Sequence, residues 1–431
     1  MLNYIWLGLV LAAVILGGLA GKMKELTDGA FDSSKTAVTI AIGLIGVMSL
    51  WLGIMRLAER SGLVQVIARG LRPLTAKLFP DVPSEHPAIG SIVMTIAANM
   101  LGLSNAATPL GLKAMSHLDS LNPRPGTATN AMCTFLAIST SSVQLIPATA
   151  IAILSSAGSA NPSAIIGTSL IATSCAAFAG IVSVKLLEKL PMFRLAPAPV
   201  AEHARTEIQA ETNALPEPAP LSELSVAILI AFFAGFIWIG NVAFEQTATA
   251  TGNPFTRVIG AVSVLAIPFL LSFFPLYAAL RKVKVYEEFV EGAKEGFQVA
   301  VRIIPYLVAI LVAVGMFRAA GGIDIVSRAL GPLLDRIGLP ADLLPIVLVR
   351  PLSGSATTGL FAELVKHWGP DSLISRTAGT ILGSTETTFY VIAVYFGSVA
   401  VKRTRHAILA GLTADLTGVI ASVIVCRLMF A

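Results

Sequence analysis

Asn99-Met100-Leu101-Gly102-Leu103-Ser104-Asn105-Ala106-Ala107-Thr108-Pro109-Leu110-Gly111 is the stretch whose reading decides the fold. It lies in an apolar region where an uninterrupted membrane-crossing helix would be expected. Gly102, Pro109 and Gly111 interrupt helical hydrogen bonding, and the backbone groups freed must find partners, because hydrocarbon offers none. Such backbone is tolerated where it lines a cavity, so the stretch predicts the turn of a re-entrant hairpin at membrane depth. The flanking arms, Ala88–Leu103 and Ala106–Leu118, are each short of the roughly 20 apolar residues that a crossing needs.

Composition points the same way. Of 431 residues 55% are hydrophobic and 13% charged, and mean hydropathy is +0.80. Soluble domains carry about 25% charged residues. The apolar segments are continuous rather than alternating, which indicates spanning helices and excludes a membrane barrel. The net charge of +5 comes from Lys and Arg gathered in loops, as the positive-inside rule describes, so no nucleic-acid partner is expected. Cys133, Cys175 and Cys426 stand singly in apolar segments and read as small core residues, with neither disulfide nor metal role. The run Tyr4–Ala20 lacks a basic flank and a small-x-small cleavage site and reads as a retained helix.

Outward from the opening stretch, spans are expected at Thr36–Ala58, Ser163–Leu187, Leu224–Val242, Ile259–Leu280, Gln298–Ala320 and Ala407–Phe430. Amphipathic surface helices are expected at Lys22–Lys35, Ser61–Phe79, Val285–Phe297 and Ile323–Ile337. In Ser61–Phe79 the apolar face is Leu63, Val66, Ile67, Leu71, Leu74 and Leu78. Two further spans are broken, Thr127–Leu154 by Ser139-Thr140-Ser141-Ser142, Gln144 and Pro147, and Leu373–Ser398 by Ser384-Thr385-Glu386-Thr387-Thr388. A second hairpin is expected over Leu339–His367, turning at Pro351–Gly359. Prolines at 191, 197, 199, 216, 218 and 220, among Ala, Glu and Thr, mark a solvated linker.

Set side by side, the two halves repeat one order of parts. Leu103–Thr108 matches Leu352–Thr357, and Ser139–Ser142 matches Ser384–Thr387. Basic residues at 56, 60, 69, 72, 77, 189, 194, 281, 282, 284, 402, 403 and 405 fall on one side if each long segment crosses once and each hairpin does not; Arg318, Arg328 and Arg336 go against this. That side is cytoplasmic, and the two repeats are then inverted, as in many secondary transporters. The expected fold is therefore all-α, a polytopic helical membrane protein of two inverted repeats, each with a re-entrant helical hairpin and a broken transmembrane helix. The halves are residues 1–189 and 222–431, joined by a cytoplasmic linker at 190–221, with a cytoplasmic N-terminus and a bacterial inner-membrane location.

Four irregular segments converging near the midplane would form the site. Half-helix N-termini attract anions, while unwound carbonyls and hydroxyls can hold a cation. The candidate solute-binding residues are Asn99, Ser104, Asn105, Thr108, Gln144, Arg350, Ser353, Ser355, Thr357 and Glu386, with Asn105, Ser139 and Thr140 as candidates for sodium. The alternative for the hydroxyls is close helix packing. Arg350 and Glu386 are ionisable within apolar segments, and either pair with each other or act on a substrate or proton. Asp415 is a further candidate, with pairing to a basic loop residue as its alternative, and His117 and His367 read as interfacial. No G-x-S-x-G, H-E-x-x-H or G-x-x-x-x-G-K is present, and no enzyme is expected.

Trp51-Leu52-Gly53, Glu59–Leu63, Arg72-Pro73-Leu74, Leu78–Asp81, His86-Pro87-Ala88 and Gly102–Gly111 together resemble the spore maturation protein A family. Arg350–Ser355 and Gly383–Tyr390 resemble the spore maturation protein B family. Between them the resemblances cover nearly the whole chain, as a fusion of the two. Both families carry the nucleoside recognition, or gate, domain, which is similar to part of the concentrative nucleoside transporters. The resemblance implies a transport-like fold, sodium coupling and a homo-oligomer. Ser141 stands where a first-half counterpart of Glu386 would be, so two-acid recognition of a ribose does not carry over. The expected function is movement of a small polar solute, a nucleoside or small organic anion, coupled to sodium or protons, with membrane lipid and the solute as partners. The alternatives are a non-transporting protein of spore or envelope maturation and a lipid-handling protein.

Overall fold

The structure is a computed structural model that describes residues 2–83, 86–102, 104–194, 220–246, 254–322, 325, 328 and 338–430. The first half runs α1 (Leu2–Leu19), α2 (Met23–Arg60), α3 (Leu63–Leu78), α4 (Pro87–Met100), α5 (Ser104–Asp119), α6 (Asn130–Ser141), α7 (Ala148–Ser156) and α8 (Ile165–Leu187). The second runs α9 (Glu223–Gln246), α10 (Pro254–Leu280), α11 (Val285–Ala319), α12 (Leu344–Val349), α13 (Gly354–Trp368), α14 (Leu373–Ser384), α15 (Thr388–Ser398) and α16 (Ala407–Phe430). From α2 and from α11 onward the same order follows in both halves: a long helix, a helical hairpin, a helix in two pieces and a closing span. Among the described residues five helices are long and apolar enough to cross a membrane: Met23–Arg60, Pro162–Leu187, Glu223–Val242, Arg257–Leu280 and Ala407–Phe430. The expected surface helix at 323–337 falls largely outside the described residues, as does the linker over 195–219.

Local chemistry sets the boundaries. His86 caps α4, its Nδ1 accepting from the Ala88 amide at 3.2 Å, and Pro87 occupies the first helical position, where a missing N–H costs nothing. Thr129 caps α6 through the Met132 amide at 3.1 Å, and Ser353 caps α13 through the Ala356 amide at 3.2 Å. Gly102, at φ 74°, makes the left-handed bend that ends α4.

Two expectations about surface helices are corrected. Lys22–Lys35 and Val285–Phe297 do not lie separately on the membrane; each continues without a break into the following span, as the 38-residue α2 and the 35-residue α11. Charge at a span end changes the solvent around a helix but breaks none of its hydrogen bonds. In α3 the buried face is Leu63, Val64, Ala68 and Thr75, rotated from the expected one, so that Val66 and Leu74 are exposed. Of the three cysteines Cys133 and Cys426 are buried as expected, whereas Cys175 is exposed.

Helices α2 and α11 lie antiparallel along most of their length. Gly29 faces Gly315 and Ala319 near one end; Met48 and Ser49 face Gly296, and Leu52 and Gly53 face Gly292, toward the other. Small residues let the backbones approach closely, which replaces the missing hydrophobic drive between helices in lipid. Arg56 closes the seam with Glu288 at 2.8 Å and Glu295 at 2.7 Å. Helices α8 and α16 form a second such pair, with Gly180 against Ala414 and Gly418 against Ala176. The two largest apolar clusters each draw on both halves, so the halves interlock rather than stand apart.

One polar clasp joins the loop after α7 to the loop before α14. Asp371 accepts from the Ser159 hydroxyl at 2.7 Å and the Ala160 amide at 2.9 Å, with Arg376 at 3.2 Å. The Ala160 amide first, then Ser159 and Arg376, hold the Asp371 carboxyl below its ordinary value of 3.8. A depressed carboxyl stabilises the fold above the unfolded-state value and loses that contribution as pH falls through the native one. The clasp is partly exposed, so Asp371→Asn is expected to cost at most about 1 kcal/mol at neutral pH. The difference from the parent in thermal melting should shrink as pH falls below 3.8 through the native carboxyl's titration, and a difference independent of pH would refute the charge argument.

Candidate functional site

The two helix breaks meet. Between α6 and α7 the chain leaves the helix over residues 142–147, and between α14 and α15 over residues 385–387. Each break gives one amide to its own hairpin: Leu145 N donates to the Met100 carbonyl at 3.0 Å and Phe389 N to the Pro351 carbonyl at 2.9 Å. Glu386 N donates to the Thr140 carbonyl at 2.8 Å and ties one break to the other. The paired closing spans supply what remains. Thr173 on α8 donates to the Ser141 and Ser142 carbonyls at 3.2 and 2.7 Å, and Asp415 on α16 accepts from Thr388 Oγ1 at 2.7 Å. The backbone groups freed at Thr140, Ser141, Ser142, Leu145 and Glu386 thus have partners inside the protein, as a low-dielectric surrounding requires.

Glu386 sits where two cavities adjoin. The larger, about 530 Å³, is lined by Gln144, Arg350, Ser353, Ser355, Glu386 and Tyr390 among others, and by the first residues of α7 and α13. The smaller, about 270 Å³, is lined on the first-half side by Asn99, Thr108 and Ser139, and on the other by Glu386, Tyr390 and Tyr395. Gln144 Nε2 donates to Glu386 Oε1 at 2.7 Å, so the two breaks are also joined through side chains.

Among the candidates, Gln144, Arg350, Ser353, Ser355 and Glu386 share the larger cavity, and Asn99, Thr108 and Ser139 the smaller. Thr357 borders neither; it is buried and donates to the Ser353 carbonyl at 2.7 Å. Thr140 is buried too, its hydroxyl bound to the Ala137 carbonyl at 3.1 Å and its own carbonyl to Glu386. The backbone of Ser104 and Asn105 belongs to α5, while their side chains lie outside the described residues. The opening stretch is narrower as a turn than expected, because helix resumes at Ser104 and runs on through Pro109 and Gly111. Likewise the second turn closes at Ser353, and α13 already includes Gly354–Gly359.

Of the two alternatives left open for Arg350 and Glu386, a direct ion pair is absent. Arg350 is 6% exposed, and its Nε has no hydrogen-bond partner. Asp415 pairs with the Thr388 hydroxyl rather than with a basic loop residue, and its Oδ1 is without a partner. His117 lies 3.1 Å from Ser91 Oγ at the base of the first hairpin, and His367 stacks edge-on against Trp368, both away from the two cavities. Sequence reading missed Tyr390 and Tyr395. Tyr390 borders both cavities, and Tyr395 stacks on Phe135 at 5.5 Å and packs against Gly111. Their signal was position, one and two turns beyond the Glu386 break.

Paired hairpins, interrupted helices and cavities meeting at a carboxylate define a helical membrane protein of transporter-like build. The chain belongs to the Gate family, described as nucleoside recognition, which matches residues 41–158 and 300–402. It is 46% identical over 174 residues to spore maturation protein B of Bacillus subtilis (strain 168), covering 98% of that protein and 40% of this chain. It is 43% identical over 173 residues to spore maturation protein A of the same organism, covering 88% of that protein and 40% of this chain. Both kinds of sequence thus occur in one polypeptide.

Proposed function

We propose that the chain is a multi-pass inner-membrane transporter of a small polar solute, acting without chemical turnover on it. The observation that carries this reading is Glu386, with Tyr390 beside it, shared by two cavities, the smaller walled by Asn99, Ala107 and Thr108 of the first hairpin and the larger mainly by Arg350 and Leu352–Ser355 of the second, with Gly102 of the first at its edge. A solute site that alternates between two faces needs such a shared wall. The hairpins are read as re-entrant, since α4, α5, α12 and α13 have 14, 16, 6 and 15 residues, too few to cross. The repeated order of parts and the antiparallel α2–α11 seam support inverted repeats, whose exchange of conformations would open one cavity and close the other. Coupling to sodium or to a proton fits Ser139, whose buried hydroxyl has no partner, and the ionisable Glu386. Lipid and the solute are the partners, and association into a homo-oligomer is part of the same proposal. Similarity to the spore maturation proteins supports a place for this transport in spore or envelope maturation, and the 190–221 segment is read as a cytoplasmic linker between the halves.

Accessibility tests the alternation. In a variant with Cys133, Cys175 and Cys426 replaced by alanine, Ser355→Cys and Thr108→Cys report on the two cavities. A membrane-impermeant thiol reagent applied to right-side-out and inverted vesicles is expected to reach each of them from opposite faces. Failure to label either one from either face would mean that the cavities are sealed, and a non-transporting protein would then be the better reading.

A further inference from the structure

Resting on the site just proposed, we infer that its solute is an organic anion whose other end carries hydroxyl or ammonium donors. The larger cavity is electrically two-ended. At one end Arg350 is more than nine-tenths buried with Nε unpartnered, and its Nη1 lies within 3.8 Å of the position a Cβ on Gly354 would take. That sets the guanidinium beside the N-terminus of α13, where Ser353, Gly354 and Ser355 line the cavity. The first residues of the nine-residue α7, Ala148 and Thr149, line it as well. Two helix N-termini and a planar guanidinium converge on one space, and each favours negative charge. Glu386 and Asp415 act on this guanidinium only from beyond ion-pair distance, so its burial stays partly uncompensated, and an incoming carboxylate or phosphate in direct contact lowers that cost.

The other end is built to accept hydrogen bonds. Gln144 donates to one oxygen of Glu386, which leaves the second carboxylate oxygen and the Gln144 carbonyl to accept from the solute. An anion alone would be repelled by Glu386, and a neutral polyol alone would leave Arg350 unmatched. A solute with an anionic head and a donor-bearing tail satisfies both ends.

The same sign of charge recurs nearby. A second hollow of about 520 Å³ lies further along the same three helices, α2, α7 and α13, and it is edged by Lys35, Lys366 and Asp32. On α2 its wall is Thr36, Thr39 and Ile40, one turn before Leu44 and two before Met48 of the inner cavity. Lys35 is paired with Asp32 at 4.0 Å, which leaves Lys366, bonded to Thr36, as the excess positive charge of this hollow.

Matched pairs differing only in the anionic group test the inference: gluconate and sorbitol, L-serine and serinol, uridine 5′-monophosphate and uridine. Binding to the purified full-length protein is read by thermal shift and titration calorimetry. At least one acid is expected to bind about tenfold or more tightly than its neutral partner. The carboxylate and phosphate arms tell which anion fits. In Arg350→Gln that preference should collapse toward parity, while Arg350→Lys keeps a reduced preference, because charge survives without the fork. Folding of both variants is checked by their unliganded melting temperatures and size-exclusion profiles; should Arg350→Gln not fold, Arg350→Lys and the acid-to-neutral ratio of the parent decide. The inference is overturned if no acid binds, if a neutral partner binds as tightly as its acid, or if the preference survives in Arg350→Gln. Neutral binding that Glu386→Gln abolishes would sink the anion assignment and leave the site intact.

Discussion

Glu386→Gln is expected to lower solute binding and flux by about 100-fold while leaving expression, melting temperature and oligomeric state near those of the parent. The backbone and the side chain of this residue do different things. Its amide, donating to the Thr140 carbonyl at 2.8 Å, joins the two breaks, and an amide side chain leaves that bond in place. The carboxylate accepts from Gln144 and adjoins both cavities, so the charge and one of its two acceptor oxygens are what the substitution removes. A hydrogen bond to a charged group contributes about 1.5–3 kcal/mol, which at its upper end corresponds to the 100-fold expected. Gln144→Ala removes a neutral group that orients the carboxylate and offers the solute one acceptor, and about tenfold is expected. The measurement is uptake into liposomes of purified protein, using whichever solute the binding panel identifies. Parent-like flux through the Glu386→Gln protein would remove this residue from the site altogether.

How much of this was legible in the sequence depended on whether the signal was a broken rule or a partnership. Pro147, the Ser139–Ser142 run and Ser384–Thr388 violate what a spanning helix wants, and both breaks lie where those residues predict them. The first hairpin was legible for the same reason, though its width was not. A glycine at φ 74° is enough to turn the chain at Gly102, and Pro109 sits inside α5 with only one helical bond forgone. Partnerships left no such trace. Nothing local tells that Arg350 stays unpaired while Glu386 takes Gln144 from a position 242 residues away. Tyr390 and Tyr395 read as ordinary apolar residues of a span until the fold sets them against the hairpin of the other half. Two of the surface helices failed for a different reason: a change from polar to apolar composition suggests an end, but with no proline or competing cap at 35–36 or 297–298 α2 and α11 have no cause to stop there, and α11 runs on even through Pro305.

The α2–α11 seam gives the largest expected effect on folding. A Cβ on Gly292 would stand 2.5 Å from the Leu52 carbonyl oxygen and 2.9 Å from Arg56 Cβ, and one on Gly296 2.6 Å from the Met48 carbonyl oxygen. The first and third of these obstacles are backbone atoms of a neighbouring helix and cannot rotate aside, so the helices must separate. Separation loses dispersion contacts along the whole seam and weakens the Arg56–Glu288 and Arg56–Glu295 pairs that close it. Gly292→Ala and Gly296→Ala are each expected to destabilise by about 1–3 kcal/mol, and Gly296→Leu to prevent accumulation of folded protein. Gly235 on α9 has nothing within 4 Å of its would-be Cβ, so Gly235→Ala is expected to be neutral or to stabilise by up to about 1 kcal/mol. The contrast guards against a general intolerance of glycine replacement, and fluorescence-detected size exclusion with thermal ramping in detergent reads all four. Because Met48 also lines the larger cavity, Gly296→Ala should weaken solute binding more than Gly292→Ala does at equal cost in stability. A Gly296→Leu protein that melts with the parent would show that the seam does not hold the two halves together.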